Sequence, residues 1–203
     1  MITFMSDMVV VTNRSLCQED FFVRIEKIAA AHPRAIILRE KDLTEQEYKI
    51  MAKKVLEICT KNGTECILHS YAAVAEELQA KALHLPMHIL RDLSREEKAF
   101  YATLGASCHS VEEAVEAQKL GCTYITAGHI FDTDCKKGLP GRGLSFLGKV
   151  CEAVTIPVYA IGGISPENVS RVRENGAAGA CVMSGAMVCP EVDAYLNFFE
   201  KSR

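Results

Sequence analysis

With 203 residues, 49% of them hydrophobic and 24% charged, the chain is long enough to fill one core and carries no compositional mark of disorder. Its formal net charge of −3 argues against a nucleic-acid surface, which needs a basic stripe, and leaves a small-molecule partner. No apolar stretch approaches membrane-spanning length, and residues 1–13 lack the basic start and cleavage site of a signal peptide, so a cytoplasmic protein without a membrane partner is expected.

Short β-branched or apolar runs alternate with amphipathic helical stretches from end to end, the rhythm of a parallel sheet. In chain order the predicted strands are 9–12, 35–39, 66–69, 82–85, 105–108, 124–127, 158–161 and 180–183. Helix starts are legible at Ser110-Val111-Glu112-Glu113, which has capping-box spacing, and at Ser165-Pro166-Glu167, an N-cap followed by proline. Stops fall at Asn62-Gly63, Gly121 and Asn175-Gly176, where a left-handed residue would close a helix. Eight strand-helix units in one domain spanning 1–203 predict a small (β/α)₈ TIM barrel; a doubly wound open sheet is the competing architecture. The nine cysteines are odd in number and include no Cys-x-x-Cys pair, so they read as buried thiols and not as a disulfide framework.

In such a barrel the residues just after each strand converge on one mouth. They are Asn13-Arg14, Arg39-Glu40-Lys41, His69-Ser70, Pro86-Met87-His88, His109, Gly128-His129, Gly162-Gly163 and Ser184-Gly185. The glycine pairs after strands seven and eight let backbone N–H groups approach an anion, and helices after them would add their positive dipole ends; either pair alone also suits a plain tight turn. Arg39 and Lys41 alternate around Glu40, so both would point one way, towards a carboxylate or a second phosphate, unless they form only a solvated cap.

The polar loop 128–143 is long enough to be functional. Lys136 or Lys137 could fold over an anion there, and His129 could shuttle a proton at neutral pH. Cys135 lies between acidic and basic neighbours without any feature marking it as a nucleophile. His69, His84 and His88 lack ligand spacing for zinc, so no metal is expected; His69 and His88 are expected to line the pocket.

The segments Val11-Thr12-Asn13-Arg14, Leu38-Arg39-Glu40-Lys41-Asp42, Gly105-Ala106-Ser107-Cys108-His109-Ser110, 128–143, 160–168 and Val182-Met183-Ser184-Gly185 resemble the thiamine phosphate synthase and TenI superfamily over nearly the whole chain. In the synthase branch, Mg²⁺ helps a pyrimidine diphosphate join a thiazole phosphate, and aspartates after strands three and four hold the metal. Here those places read His69-Ser70 and Pro86-Met87-His88-Ile89, and Ile37 replaces a pyrimidine-contacting glutamine. Arg39, Lys41, Ser107 and Lys136 match diphosphate-contacting positions and are retained.

The loop Gly128-His129-Ile130-Phe131-Asp132-Thr133-Asp134-Cys135-Lys136-Lys137-Gly138-Leu139-Pro140-Gly141-Arg142-Gly143 is similar to the TenI branch, the thiazole tautomerases. The resemblance implies that His129 transfers the proton and that Gly162, Gly163, Ser184 and Gly185 hold the phosphate of a thiazole phosphate substrate, with no cofactor. Three readings stay open: this isomerase, the coupling transferase, and a non-catalytic regulatory protein of the thiamine pathway. A homodimer is the expected assembly.

Overall fold

The computed structural model describes residues 7–133, 136 and 138–201. Each predicted strand forms: β1 (Met8–Val11), β2 (Ala35–Leu38), β3 (Cys66–His69), β4 (Ala82–Pro86), β5 (Thr103–Cys108), β6 (Tyr124–Gly128), β7 (Val158–Ile161) and β8 (Gly179–Val182). Each pairs in parallel with the next, and Val9 of β1 lies in register with Ala35 of β2 on one side and Cys181 of β8 on the other. Among the described residues the sheet is therefore a closed barrel, not the open doubly wound sheet, which would leave two edges unpaired.

The strands read as continuous apolar runs because both of their faces are buried. Val9, Val11, Ile37, Ile67, Tyr124 and Cys181 point inward and fill the barrel with Tyr159 and Ile161. The alternate residues Met8, Val10, Ile36, Leu38 and Leu68 point outward into the larger layer beneath the helices. Tyr124 is one of two tyrosines in the interior, and Gly105, its partner across the β5–β6 pair, makes room for it: a Cβ there would collide with the Tyr124 Cζ.

The helices are α1 (Phe21–Ala30), α2 (Glu45–Asn62), α3 (Ala72–Glu77), α4 (Met87–Asp92), α5 (Arg95–Ala99), α6 (Val111–Lys119), α7 (Gly143–Ala153), α8 (Val169–Glu174), α9 (Ser184–Val188) and α10 (Val192–Lys201). Gly63, Gly121 and Gly176 all take positive φ at the predicted stops. No helix among the described residues is long and apolar enough to cross a membrane.

Two predicted starts differ in detail. Ser110 caps α6 by accepting the Glu113 N–H at 3.1 Å, but the Glu113 carboxylate takes the His109 N–H at 2.6 Å, so the box closes one residue earlier. Ser165 does not cap α8. The N–H groups of Asn168 and Val169 both donate to the Ser165 carbonyl, and the Asn168 amide bridges Ser165 N–H and the Gly163 carbonyl, so a turn precedes the helix. The helix dipole expected just behind Gly162-Gly163 is accordingly displaced along the chain, and both α8 and α9 are short.

Candidate active site

At the C-terminal ends of the strands lies a cavity of about 320 Å³. Nine of the residues singled out from the sequence line it: His129, Arg39, Lys41, Ser107, Lys136, Gly162, Gly163, Ser184 and Gly185. The strand order places them around one rim, with Ser184-Gly185 after β8, Arg39 and Lys41 after β2, Ser107 within β5 and His129 after β6.

The glycine turns present unspent backbone donors to the cavity. Among the described residues, none of the N–H groups of Gly162, Gly163, Ser184 or Gly185 donates to a protein acceptor. Four unspent donors on one wall are the chemistry that an oxyanion needs, and the turns supply it without help from a long helix. Gly162 has φ +97°, and a Cβ there would collide with the His129 Cβ and lie 2.8 Å from its Cα, so the turn and the histidine are packed backbone to backbone. A Gly162→Ala variant is expected to lose about 3 kcal/mol of stability from strain and overpacking together. Urea unfolding measures that loss, and a variant as stable as the parent would contradict the packing.

Arg39, Lys41 and Lys136 face one another across the opening. Partial burial first, and then the charges of Arg39 and Lys136, hold the Lys41 ammonium below its ordinary range. A bound anion relieves that repulsion. Glu40, between the two β2 cations, turns away: it is buried, accepts from Thr12 Oγ1 at 2.7 Å and from the Arg14 N–H at 3.0 Å, and pairs with the Arg14 guanidinium. Arg14 also binds Asp42 at 2.6 Å, and Asn13 caps a short 3-10 turn (Arg14–Leu16). These two predicted mouth residues therefore brace the rim and do not line the cavity.

His129 is half-buried and its Nε2 lies 3.1 Å from the Leu139 carbonyl. A carbonyl can only accept, so Nε2 carries the proton and Nδ1 is left as the basic nitrogen. His109 also lines the cavity; its Nδ1–H donates to the Gly128 carbonyl at 2.9 Å and so anchors the peptide from which His129 projects. Asp132 accepts the Gly141 N–H at 2.7 Å, tying the start of the long loop to its end. Cys135 and Lys137 lie outside the described residues.

The floor was only partly anticipated. His69 lines the cavity as expected, but His88 is exposed on α4 and does not. His84, given no role by the sequence, is buried at the base, with Nδ1 2.8 Å from the Tyr124 hydroxyl and Nε2 2.8 Å from Ser107 Oγ. Ser107 is thus held from below before it meets any ligand. Burial pushes His84 down to about 3, and burial with the nearby His84, Arg39 and Lys41 pushes His69 down to about 2, so both imidazoles are neutral. The available signal was positional: His69 and His84 are in register on adjacent strands, where polar residues are uncommon. Tyr195 of α10 was also missed; Gly185 lets its hydroxyl approach the β8 turn.

No carboxylate lines the cavity among the described residues, and no three His, Cys, Asp or Glu side chains there come together as a metal shell. Ser70 and Ile89 stand where the synthase resemblance implies aspartates after strands three and four. This donor set does not fit Mg²⁺, a hard cation that binds through carboxylate oxygens.

Fold and cavity together define a single-domain (β/α)₈ barrel with its site at the C-terminal strand ends. The profile of the family described as thiamine monophosphate synthase matches residues 8–186. Thiamine-phosphate synthase 2 of Streptococcus pneumoniae is 32% identical over 188 residues, covering 90% of this chain and 88% of the relative. Thiamine-phosphate synthase of Fusobacterium nucleatum is 31% identical, covering 87% of each chain. The solved thiamine phosphate pyrophosphorylase from Pyrococcus furiosus superposes with a TM-score of 0.82 at 28% identity, covering 98% of this chain and 95% of that one. The chain belongs to the thiamine monophosphate synthase family, and so to the enzymes of thiamine biosynthesis.

Proposed function

We propose that this barrel is a thiazole tautomerase, an isomerase that converts the non-aromatic 2-carboxy-4-methylthiazole ethyl phosphate into its aromatic tautomer. The observation that carries the reading is the lining of the cavity: His129 with its basic Nδ1 beside four free backbone N–H groups and three cations, with no carboxylate among the described residues. The phosphate occupies the Gly162-Gly163 and Ser184-Gly185 turns, and the carboxylate faces Arg39 and Lys41, with Lys136 above. His129 Nδ1 takes the proton from ring C2, and the imidazolium returns one to the exocyclic carbon. The histidine is neutral again at the end, so the cycle needs no redox partner, and aromatisation supplies the driving force.

A second reading, coupling of a pyrimidine diphosphate to a thiazole phosphate, is supported by the synthase names of the relatives and by the retained Arg39, Lys41, Ser107 and Lys136. One pair of assays separates them. The purified chain is incubated in deuterated buffer with the unstable tautomer, and separately with both coupling substrates and Mg²⁺. Enzyme-dependent deuterium incorporation with no coupling is the expected result; coupling at a useful rate, with no acceleration of tautomerisation, would overturn it.

A further inference from the structure

The cavity floor carries two stacked imidazoles with unequal hydrogen bonding. The His69 and His84 rings lie 5.7 Å apart and 22° from parallel. His84 spends both nitrogens on protein partners, Tyr124 and Ser107. His69 spends only Nδ1, which lies 2.7 Å from Ser70 Oγ. Its Nε2 has no hydrogen-bond partner among the described residues, although the residue is only 5% exposed and its ring lines the cavity. This nitrogen opens onto the cavity, where an incoming ligand group can take up its unused hydrogen bond.

The surroundings specify what that ligand group is. Arg39 and Lys41 act on His69 electrostatically, so the open nitrogen lies in a cationic corner. In the closed order β8, β1, β2, β3 this corner is separated from the Ser184-Gly185 turn by two strands, so the two line different parts of the same cavity. A neutral imidazole among cations serves an anionic oxygen when its proton is on Nε2, and the Ser70 hydroxyl, 2.7 Å from Nδ1, accommodates that tautomer by donating to Nδ1.

We propose that His69 is a specificity-determining residue whose Nε2–H donates to the ligand carboxylate held between Arg39 and Lys41. This rests on the thiazole phosphate reading above and extends it: the chain selects the carboxylated thiazole phosphate over the same molecule without the carboxylate. Arg39 and Lys41 supply the charge, and the imidazole, bonded to Ser70 and stacked on His84, adds a fixed donor that sets where one carboxylate oxygen lies.

Calorimetric titration of the full chain with the two stable aromatic ligands, 4-methyl-5-(2-hydroxyethyl)thiazole phosphate with and without its 2-carboxylate, tests this without relying on turnover. The parent should prefer the carboxylated ligand. His69→Leu should lose about tenfold in affinity for it, the scale of one hydrogen bond to an anion, and almost nothing for the other. His69→Gln, which returns an N–H donor, should recover most of the loss; this also guards against a folding defect in the leucine variant. Equal losses for both ligands, or none for either, would overturn the role of His69 and leave the thiazole reading intact. A parent that binds neither ligand would overturn both.

Discussion

A His129→Asn variant is expected to turn over the thiazole tautomer about 10²- to 10⁴-fold more slowly, the contribution of one well-placed general base. Its affinity for the aromatic thiazole phosphate should stay within about threefold, because uniform binding and transition-state proton transfer are separate terms. The asparagine amide occupies the Nδ1 position and stops short of the Leu139 carbonyl that now receives Nε2–H, so that one loop bond goes as well. What the chemistry loses is Nδ1, the basic nitrogen. The backbone N–H groups of Gly162, Gly163, Ser184 and Gly185 are untouched, and the phosphate keeps its seat. Stopped-flow turnover alongside calorimetric binding reads both quantities; a variant with kcat near the parent value would remove His129 from the chemistry. A His109→Phe variant gives the complementary measurement. It cuts only the bond to the Gly128 carbonyl, so its loss should be smaller and should come from misplacement of His129.

The barrel was legible because its strands bury both faces, which makes them stand out as apolar runs between polar helices, and because strand-end residues must meet at one mouth. That topological rule gathered Arg39, Lys41, His129 and the two glycine turns, residues spread over most of the chain, and the family resemblance and the long loop added Ser107 and Lys136, all of which line one cavity. What was not legible depended on contacts between distant segments. Nothing local to Arg14 shows that Glu40 and Asp42, 26 and 28 residues on, will hold it away from the cavity. His84 reads as an isolated histidine until Ser107 and Tyr124, 23 and 40 residues later, supply its two partners. Ser165 has the right neighbours for a cap, yet Asn168 competes for the same backbone groups and defers the helix. His88 fails for a geometric reason: once α4 begins at Met87, the next side chain is turned to solvent.

The neutral histidine pair on the floor gives the fold a pronounced sensitivity to acid. His69 and His84 are depressed to about 2 and about 3, while in the unfolded chain each titrates near the ordinary histidine value of about 6.5. Below that value the unfolded state binds two protons that the folded state refuses. The stability these groups contribute is complete above about pH 6.5 and is lost as pH falls through the window down to 2–3, the opposite sense to a histidine that gains an acidic partner. Each costs about 1.4 kcal/mol per pH unit across that window, so between pH 6.5 and 4.5 the pair removes about 5 kcal/mol, a large part of the stability of an ordinary domain. Chemical denaturation between pH 6.5 and 5 isolates the effect before most carboxylates begin to protonate, and the slope should approach two protons taken up on unfolding. In a His84→Gln variant the amide can still reach toward Ser107 and Tyr124 but no longer titrates, and the slope should fall by about one proton. An unchanged slope would mean that the imidazole accepts its proton inside the fold, and with it the cavity floor would have to be charged rather than neutral beneath Arg39 and Lys41.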